Sequence, residues 1–192
     1  PRILRMLGQI DFSAIQCICE LVDNAIDSLT LDQPEEGFEP EIKIKIPKSK
    51  SPNQTDLISI SDNGAGMNFE QLTNSLKAGF SGNGPIEKMG LFGMGFNIST
   101  ARLGSRTEVK TTKKEDNFFL KVTIDFASLE KSEKFEAPIE RIPKKADELG
   151  IQGTFVEISQ LNTDHIRTLK SKQKVLEKLG KVYGRILRQR KI

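Results

Sequence analysis

The stretch ELVDNAIDS, residues 20 to 28, carries Glu20, Asp23, Asn24 and Asp27, and no Lys or Arg occurs from Met6 to Ile42. With Glu20 at zero, Asn24 falls at about 40°, Asp27 at about −20° and Asp23 at about −60°, given a helical advance of about 100° per residue. Ile15, Ile18, Leu21, Val22, Ala25, Ile26 and Leu29 fall between about 100° and about 240° on the same wheel. The segment therefore divides into a core stripe and an opposed stripe of acids and one amide. A solvated face explains many such stripes, but it usually mixes signs so that pairs three or four residues apart attract. This one mixes none. Carboxylates beside an amide oxygen suit a hard divalent cation such as Mg²⁺, which commonly arrives with phosphates.

Two glycine-bearing segments add to this. ISISDNGAGM ends a strand-like run at Asp62 and follows it with Gly64 and Gly66. A tight turn accounts for Asn-Gly by itself. An acid at a strand end, followed by glycines that admit a ligand close to the backbone, can also accept a hydrogen bond from an exocyclic amine such as that of adenine. KMGLFGMGFN sets Gly90, Gly93 and Gly95 among Leu91, Phe92, Met94 and Phe96. Glycines that open a helix expose backbone N–H groups at its positive end, where anions bind. The segment is neither a P-loop, since no Gly-Lys-Ser/Thr follows, nor a Rossmann fingerprint, since no strand leads into it.

These residues need a scaffold, and the alternation of patterns supplies one. Residues 12–30 read as a helix, EIKIKI (41–46) as a half-exposed strand and DLISIS (56–61) as a second strand. Asn68 with Gln71 three residues on forms a capping-box pattern for a helix to about Leu76. Residues 79–95, dense in glycine, do not read as a regular element, and a helix follows to about Leu103. RTEVKTT, NFFLKVTIDF and GTFVEIS read as strands, and 163–190 as one long helix. Three or four helices over five or six mostly antiparallel strands predict an α/β two-layer sandwich, a mixed sheet covered by helices on one face.

At 192 residues, 36% hydrophobic and 29% charged, the chain is large enough for a real core and too polar for a membrane protein. No apolar run approaches the roughly 20 residues of a span. Cys17 and Cys19 lie two positions apart, point to different sides of a helix and cannot pair, which fits a cytoplasmic setting. The charge is uneven. Residues 166–192 hold ten Lys and Arg against Glu177 alone, while the preceding residues hold 19 basic and 25 acidic side chains.

Taken in order, ExxDNxxD (Glu20 to Asp27), DNGAGM (Asp62 to Met67), GLFGMG (Gly90 to Gly95) and the Gly153-Thr154 pair opening a strand resemble the four nucleotide-binding boxes of the GHKL ATPases. That superfamily includes gyrase, the ninety-kilodalton heat-shock chaperones, sensor histidine kinases, MutL and the MORC proteins. FGMGFN is closest in flavour to the MORC-like and prokaryotic heat-shock-ninety-like members. The resemblance covers about residues 10–160 and implies the Bergerat fold, a two-layer α/β sandwich. It implies ATP and Mg²⁺ as ligands, with Glu20 as general base toward the γ-phosphate and Asn24 as the metal ligand. It implies Asp62 on the adenine amine, Thr154 assisting through a water, Met67 packing on the base, and Gly64 and Gly66 allowing close approach. Gly90, Leu91, Phe92, Gly93, Met94, Gly95 and Phe96 would hold the phosphates, with Asp27 toward the adenine end and Asp23 in support. Residues 79–92 are expected to form a lid, flanked by Lys77 and Lys88, either of which is a candidate for reaching phosphate or a plain surface lysine.

The domain expectation is an ATP-binding domain over residues 1–162, with a basic helix over 163–192 leading toward a further domain. His165, the single histidine, follows the nucleotide boxes, whereas a histidine kinase places its phosphoacceptor before them. The functional expectation is slow Mg²⁺-dependent ATP hydrolysis that drives lid closure and homodimerisation. A non-hydrolysing ATP-sensing module is the alternative. The basic helix either forms a solvated face or meets DNA through Arg185, Arg188 and Arg190, which would extend the cytoplasmic assignment to a nuclear or nucleoid one.

Overall fold

The computed structural model describes residues 12–30, 37–47, 56–77, 92–126, 128 and 137–190. Six strands form one sheet: β1 (Ile42–Lys45), β2 (Ile58–Asp62), β3 (Gly104–Thr112), β4 (Phe118–Asp125), β5 (Ile139–Pro143) and β6 (Gly153–Leu161). Their spatial order is β1-β2-β6-β3-β4-β5, and all five pairings are antiparallel, so the expected mixed character is absent among them. Among the described residues four α-helices accompany the sheet: α1 (Ala14–Thr30), α2 (Phe69–Lys77), α3 (Phe92–Leu103) and α4 (Lys172–Arg190). The two-layer sandwich expected from the alternation of patterns is the architecture found.

Period-two patterning explains which face of the sheet is covered. Register places Ile60, Val156, Val109 and Val122 in one row across β2, β6, β3 and β4, and Ile58, Ile158, Thr107 and Ile124 in the next. All eight are buried. Against them lie Ile18, Leu21, Val22, Ala25 and Ile26 of α1, the apolar stripe read from the helical wheel. The opposite sheet face carries charge instead, including the Lys121–Glu108 ion pair at 2.7 Å.

The row beyond Ile60 and Val156 breaks the apolar pattern. On β2, β6 and β3 it carries Asp62, Thr154 and Thr111, paired directly across the three strands, before Leu120 on β4 continues it. Polar groups thus close one end of an otherwise apolar sheet face, where the core gives way to a cavity.

Local signals held at α2. Asn68 N–H donates to Gln71 Oε1 at 2.9 Å and Gln71 N–H to Asn68 Oδ1 at 2.8 Å, the two arms of the capping box. Three expectations need correction. The helix after the glycine segment begins at Phe92, so Phe92–Gly95 are helical although two of the four are glycine. Strand β5 went unread because IERIP shows only weak alternation; it is an edge strand ending in Pro143, where an N–H is dispensable. The long helix over 163–190 is broken at Ser171 into a 3-10 turn, His165–Lys170, and α4. Ile166, Leu169, Val175 and Tyr183 reach the core, and Leu176, Val182 and Leu187 are exposed.

Candidate nucleotide site

A cavity of about 460 Å³ opens between α1, α2, the start of α3 and the polar end of the sheet. Asn24 and Asp27 line it from α1, Asp62 from β2, Gly66 and Met67 from the following loop, Phe96 from α3 and Thr154 from β6. Residues from three of the four sequence boxes, and Phe96 just beyond the remaining one, thus meet around one space, although Asn24 and Thr154 are far apart in the chain. Between the polar end and the helices the wall is apolar, with Leu21, Ala25, Ile60, Val109 and Val156. An apolar cavity with polar groups at one end suits a heteroaromatic ring with hydrogen-bonding edges.

Asp62 is 8% exposed. Its Oδ1 accepts from Gly64 N–H at 2.9 Å and from the Ser28 hydroxyl at 3.1 Å. Burial lifts the carboxyl from its ordinary value of 3.8 to about 6, and donors from Gly64, Ser28 and the Thr154 backbone restrain that rise. The glycines beside it answer steric demands. Gly66 has φ +66°, and a Cβ there would run into the Thr112 carbonyl; Gly153 has φ +119°, and a Cβ there would run into the Asp62 carbonyl. Both positions require glycine for space and for backbone conformation. A Cβ on Gly64 would strike the Ser28 hydroxyl. Thr111 ties the corner together: its hydroxyl oxygen accepts from Met67 N–H at 2.9 Å and lies 3.1 Å from both the Gly153 carbonyl and the Thr154 hydroxyl.

Glu20 lies outside the cavity lining, one helical turn from Asn24. The space that a Gly95 side chain would fill holds its carboxylate, so the first and third boxes meet at that point. Burial, and after it the neighbouring Asp23 carboxylate, raise the Glu20 carboxyl above its ordinary range. Asp23 faces away from the cavity toward α4, where it accepts from the Tyr183 hydroxyl at 2.8 Å; the same hydroxyl is 2.9 Å from the Cys19 carbonyl. The acidic stripe is therefore not wholly open to a ligand: one of its acids holds the last helix. Asp27 is exposed at the cavity rim.

Other expected residues are only partly placed. Gly90 and Leu91, Lys88 and nearly all of the expected lid lie outside the described residues. Phe92, Gly93 and Met94 form the first turn of α3 and Lys77 ends α2, with their side chains outside the description. His165 opens the 3-10 turn, where its Nε2 is 4.0 Å from Cys17 Sγ and its Nδ1 faces Arg102 Nη2 at 3.4 Å. Burial pushes the Cys17 thiol up to about 11, which suits an inert core cysteine.

Ser28, Asn74, Ser75 and Thr111 were not singled out in the sequence, and Gln71 only as part of a helix cap. Ser28 had a signal, since it sits four residues beyond Asn24 and therefore on the same side of α1. Thr111 had a fainter one: in RTEVKTT it shares a face with Thr107 and Val109. Among the described residues no group of three or more His, Cys, Asp or Glu gathers as a metal cluster. No described helix is long and apolar enough to cross a membrane.

Comparison with known proteins bears on the same segments. The chain is 35% identical over 92 residues to Protein MICRORCHIDIA 3 of Arabidopsis thaliana, covering 48% of this chain and 14% of that one. It is 33% identical over 105 residues to Protein MICRORCHIDIA 2 of the same plant, covering 55% and 16% respectively. It thus spans about one-seventh of the length of these relatives. The MORC flavour of the glycine segment agrees with both. A family profile matches residues 12–168, from the start of α1 past the end of β6, and with that span matched the chain belongs to the histidine kinase-, DNA gyrase B- and HSP90-like ATPases.

Proposed function

We propose that this chain binds ATP with Mg²⁺ and hydrolyses it slowly, with Glu20 as the general base. The observation that carries the reading is the placement of Glu20 against Gly95 at the start of α3, one turn along α1 from Asn24 in the cavity wall. The adenine ring takes the apolar slot, its amine on Asp62 and its face on Met67, with Thr154 assisting. The triphosphate then runs toward the first turn of α3, the end of a helix whose N–H groups suit anions.

The donor set fits a magnesium ion. Mg²⁺ keeps several waters and takes one or two protein oxygens plus phosphate oxygens, and the Asn24 amide oxygen supplies such a ligand where no multi-carboxylate cluster exists among the described residues. When bound, the ion neutralises charge on the phosphates. Glu20 takes a proton from the attacking water as its oxygen bonds to the γ-phosphorus, and the bond to the β–γ bridging oxygen breaks to release ADP. A carboxyl held above its ordinary range is the stronger base for that step.

The finer features follow from the same reading. Residues 79–92 act as the lid, flanked by Lys77 and Lys88, and ATP binding closes it and favours a homodimer. Residues 1–162 form the ATP-binding unit, and the helix after it leads to a further domain. Arg185 and Arg188 are exposed on α4 with Lys174, Lys178 and Lys181, a surface suited to DNA phosphates and to a nuclear or nucleoid site. Charge reversal at Arg185, Arg188 and Arg190 should abolish retention on DNA; unchanged retention removes that part.

The central test measures phosphate release by the wild-type chain and by Glu20→Ala, with calorimetric titration of a non-hydrolysable ATP analogue and Mg²⁺ into both. Turnover lost with binding retained supports the assignment. Binding without turnover in the wild type favours the ATP-sensing alternative.

A further inference from the structure

The polar row at the end of the sheet joins two hydroxyls, Thr111 and Thr154, either of which can be the donor to the other. Thr111 is fully buried and does not line the cavity. Its hydroxyl meets Met67 N–H at 2.9 Å, the Gly153 carbonyl at 3.1 Å and the Thr154 hydroxyl at 3.1 Å. A hydroxyl has one proton and two lone pairs. The Met67 N–H can only donate, so it fills one lone pair. The Gly153 carbonyl can only accept, so it takes the proton. With its proton on the Gly153 carbonyl, Thr111 keeps one lone pair 3.1 Å from the Thr154 hydroxyl, and in that arrangement Thr154 is the donor. Thr154 lines the cavity, and with its proton given to Thr111 its oxygen offers the cavity lone pairs alone. Asp62, its direct cross-strand neighbour, offers the same cavity a carboxylate.

We propose that Thr111 is a specificity-determining positioning residue: by taking the Thr154 proton it makes the Asp62–Thr154 end of the cavity acceptor-only, which selects a 6-amino purine over a 6-oxo purine. The inference rests on the nucleotide reading above and deepens it. A 6-amino group brings two N–H donors to this wall, whereas a 6-oxo group sets its lone pairs against those of Thr154. Buried acceptors facing acceptors are a strong source of discrimination, because neither side regains the hydrogen bonds it had in water.

The test titrates a non-hydrolysable ATP analogue and its inosine counterpart, each with Mg²⁺, into the chain at mildly alkaline pH, where Asp62 is ionised. Wild type should prefer the adenosine form. Thr111→Val keeps the side-chain shape but frees the Thr154 proton to rotate toward the cavity, and the adenosine-to-inosine affinity ratio should fall by about 3- to 10-fold, the worth of one hydrogen bond. Thr111→Ser should restore the ratio. A merely structural loss would weaken both nucleotides together and leave the ratio alone, and that result overturns the inference. Equal affinities in the wild type overturn it as well. Asp62→Ala separates the two levels: if it weakens the adenosine form while Thr111→Val leaves the ratio unchanged, only the Thr111 role fails. If Asp62→Ala changes nothing, the nucleotide reading fails and takes the inference with it. Should Thr111→Val not fold, Thr154→Val decides. Loss of an acceptor-only hydroxyl weakens the adenosine form selectively, whereas equal weakening of both overturns the proposal.

Discussion

At the Asp62 end of the cavity three neighbouring strands supply the polar groups, and hydrogen bonds to the chain hold each one. Oδ1 of Asp62 has Gly64 and Ser28, Thr111 has Met67 and Gly153, and Thr154 has Thr111. At the Glu20 end two helices do the work, and among the described residues no hydrogen bond or ion pair holds the Glu20 carboxylate. Its place comes from the α1 backbone and from the room that Gly95 leaves. The contrast matches what each end has to do. Recognition of a ring edge needs donors and acceptors fixed before the ligand arrives, which a paired sheet provides. A base toward water gains from a carboxylate that is partly desolvated and not committed to the protein.

The comparison is easiest to break at the helical end. Glu20→Ala should lower turnover by about 10²- to 10⁴-fold, the usual worth of a general base, while analogue affinity stays near the wild-type value. A parallel loss of affinity in calorimetry would make Glu20 part of the binding surface and erase the division of labour. At the sheet end Asp62→Ala should do the reverse. Loss of a hydrogen bond to a charged acceptor costs about 1.5–3 kcal/mol, roughly 10- to 150-fold in affinity, and calorimetry reads it directly.

A pH series sharpens the same point, because the raised Asp62 carboxyl acts in opposite directions on folding and on binding. Asp62 takes up its proton at a higher pH in the folded chain, about 6, than its ordinary value of 3.8. Between those values the folded state binds more protons than the unfolded state. The group therefore favours folding as pH falls through about 6, and that contribution is lost as pH rises through it. Adenine binding needs the ionised acceptor, so analogue affinity should decline over the same acid range. Thermal unfolding without nucleotide and calorimetry with it should show opposed trends for this group, both abolished by Asp62→Ala. Affinity that stays level from neutral pH down to about 5 would remove Asp62 from the base edge.

Smaller effects probe the scaffold. Gly66→Ala forces a side chain onto the Thr112 carbonyl at φ +66° and should cost about 1–3 kcal/mol of stability, measured by thermal or urea unfolding. Tyr183→Phe removes the hydroxyl that joins α4 to Asp23 and Cys19. It should cost about 1 kcal/mol of stability and leave analogue affinity unchanged; a change in affinity would show that α4 reaches the cavity through Asp23.

Much was legible before any fold was known. The wheel of residues 14–30 separates Ile18, Leu21, Val22, Ala25 and Ile26 from Glu20, Asp23, Asn24 and Asp27, and the structure buries the first set. The Asn68–Gln71 capping box was visible because both of its arms lie within one turn. The glycines of DNGAGM announced a turn or a close backbone approach, and the structure adds that a side chain at Gly66 or Gly153 cannot fit. The broken helix at Ser171 and the edge strand β5 were not visible, since neither departs locally from patterns that suit other elements equally well.

The sequence by itself determined which residues share a face of α1, where the chain can turn tightly at its glycines and which family of boxes they form. Spacings of three, four or two residues decide these, and the helix and strand repeats translate them directly into geometry. Only the tertiary structure decided that Asp62, Thr154 and Thr111 form one row, that Ser28 and not a ligand alone engages Asp62, that Glu20 lies on Gly95, and that Tyr183 occupies Asp23. Each of these joins partners from different elements. The first depends on a strand register that the packing of the whole apolar face sets, because a slip of one residue would turn the polar row out toward solvent.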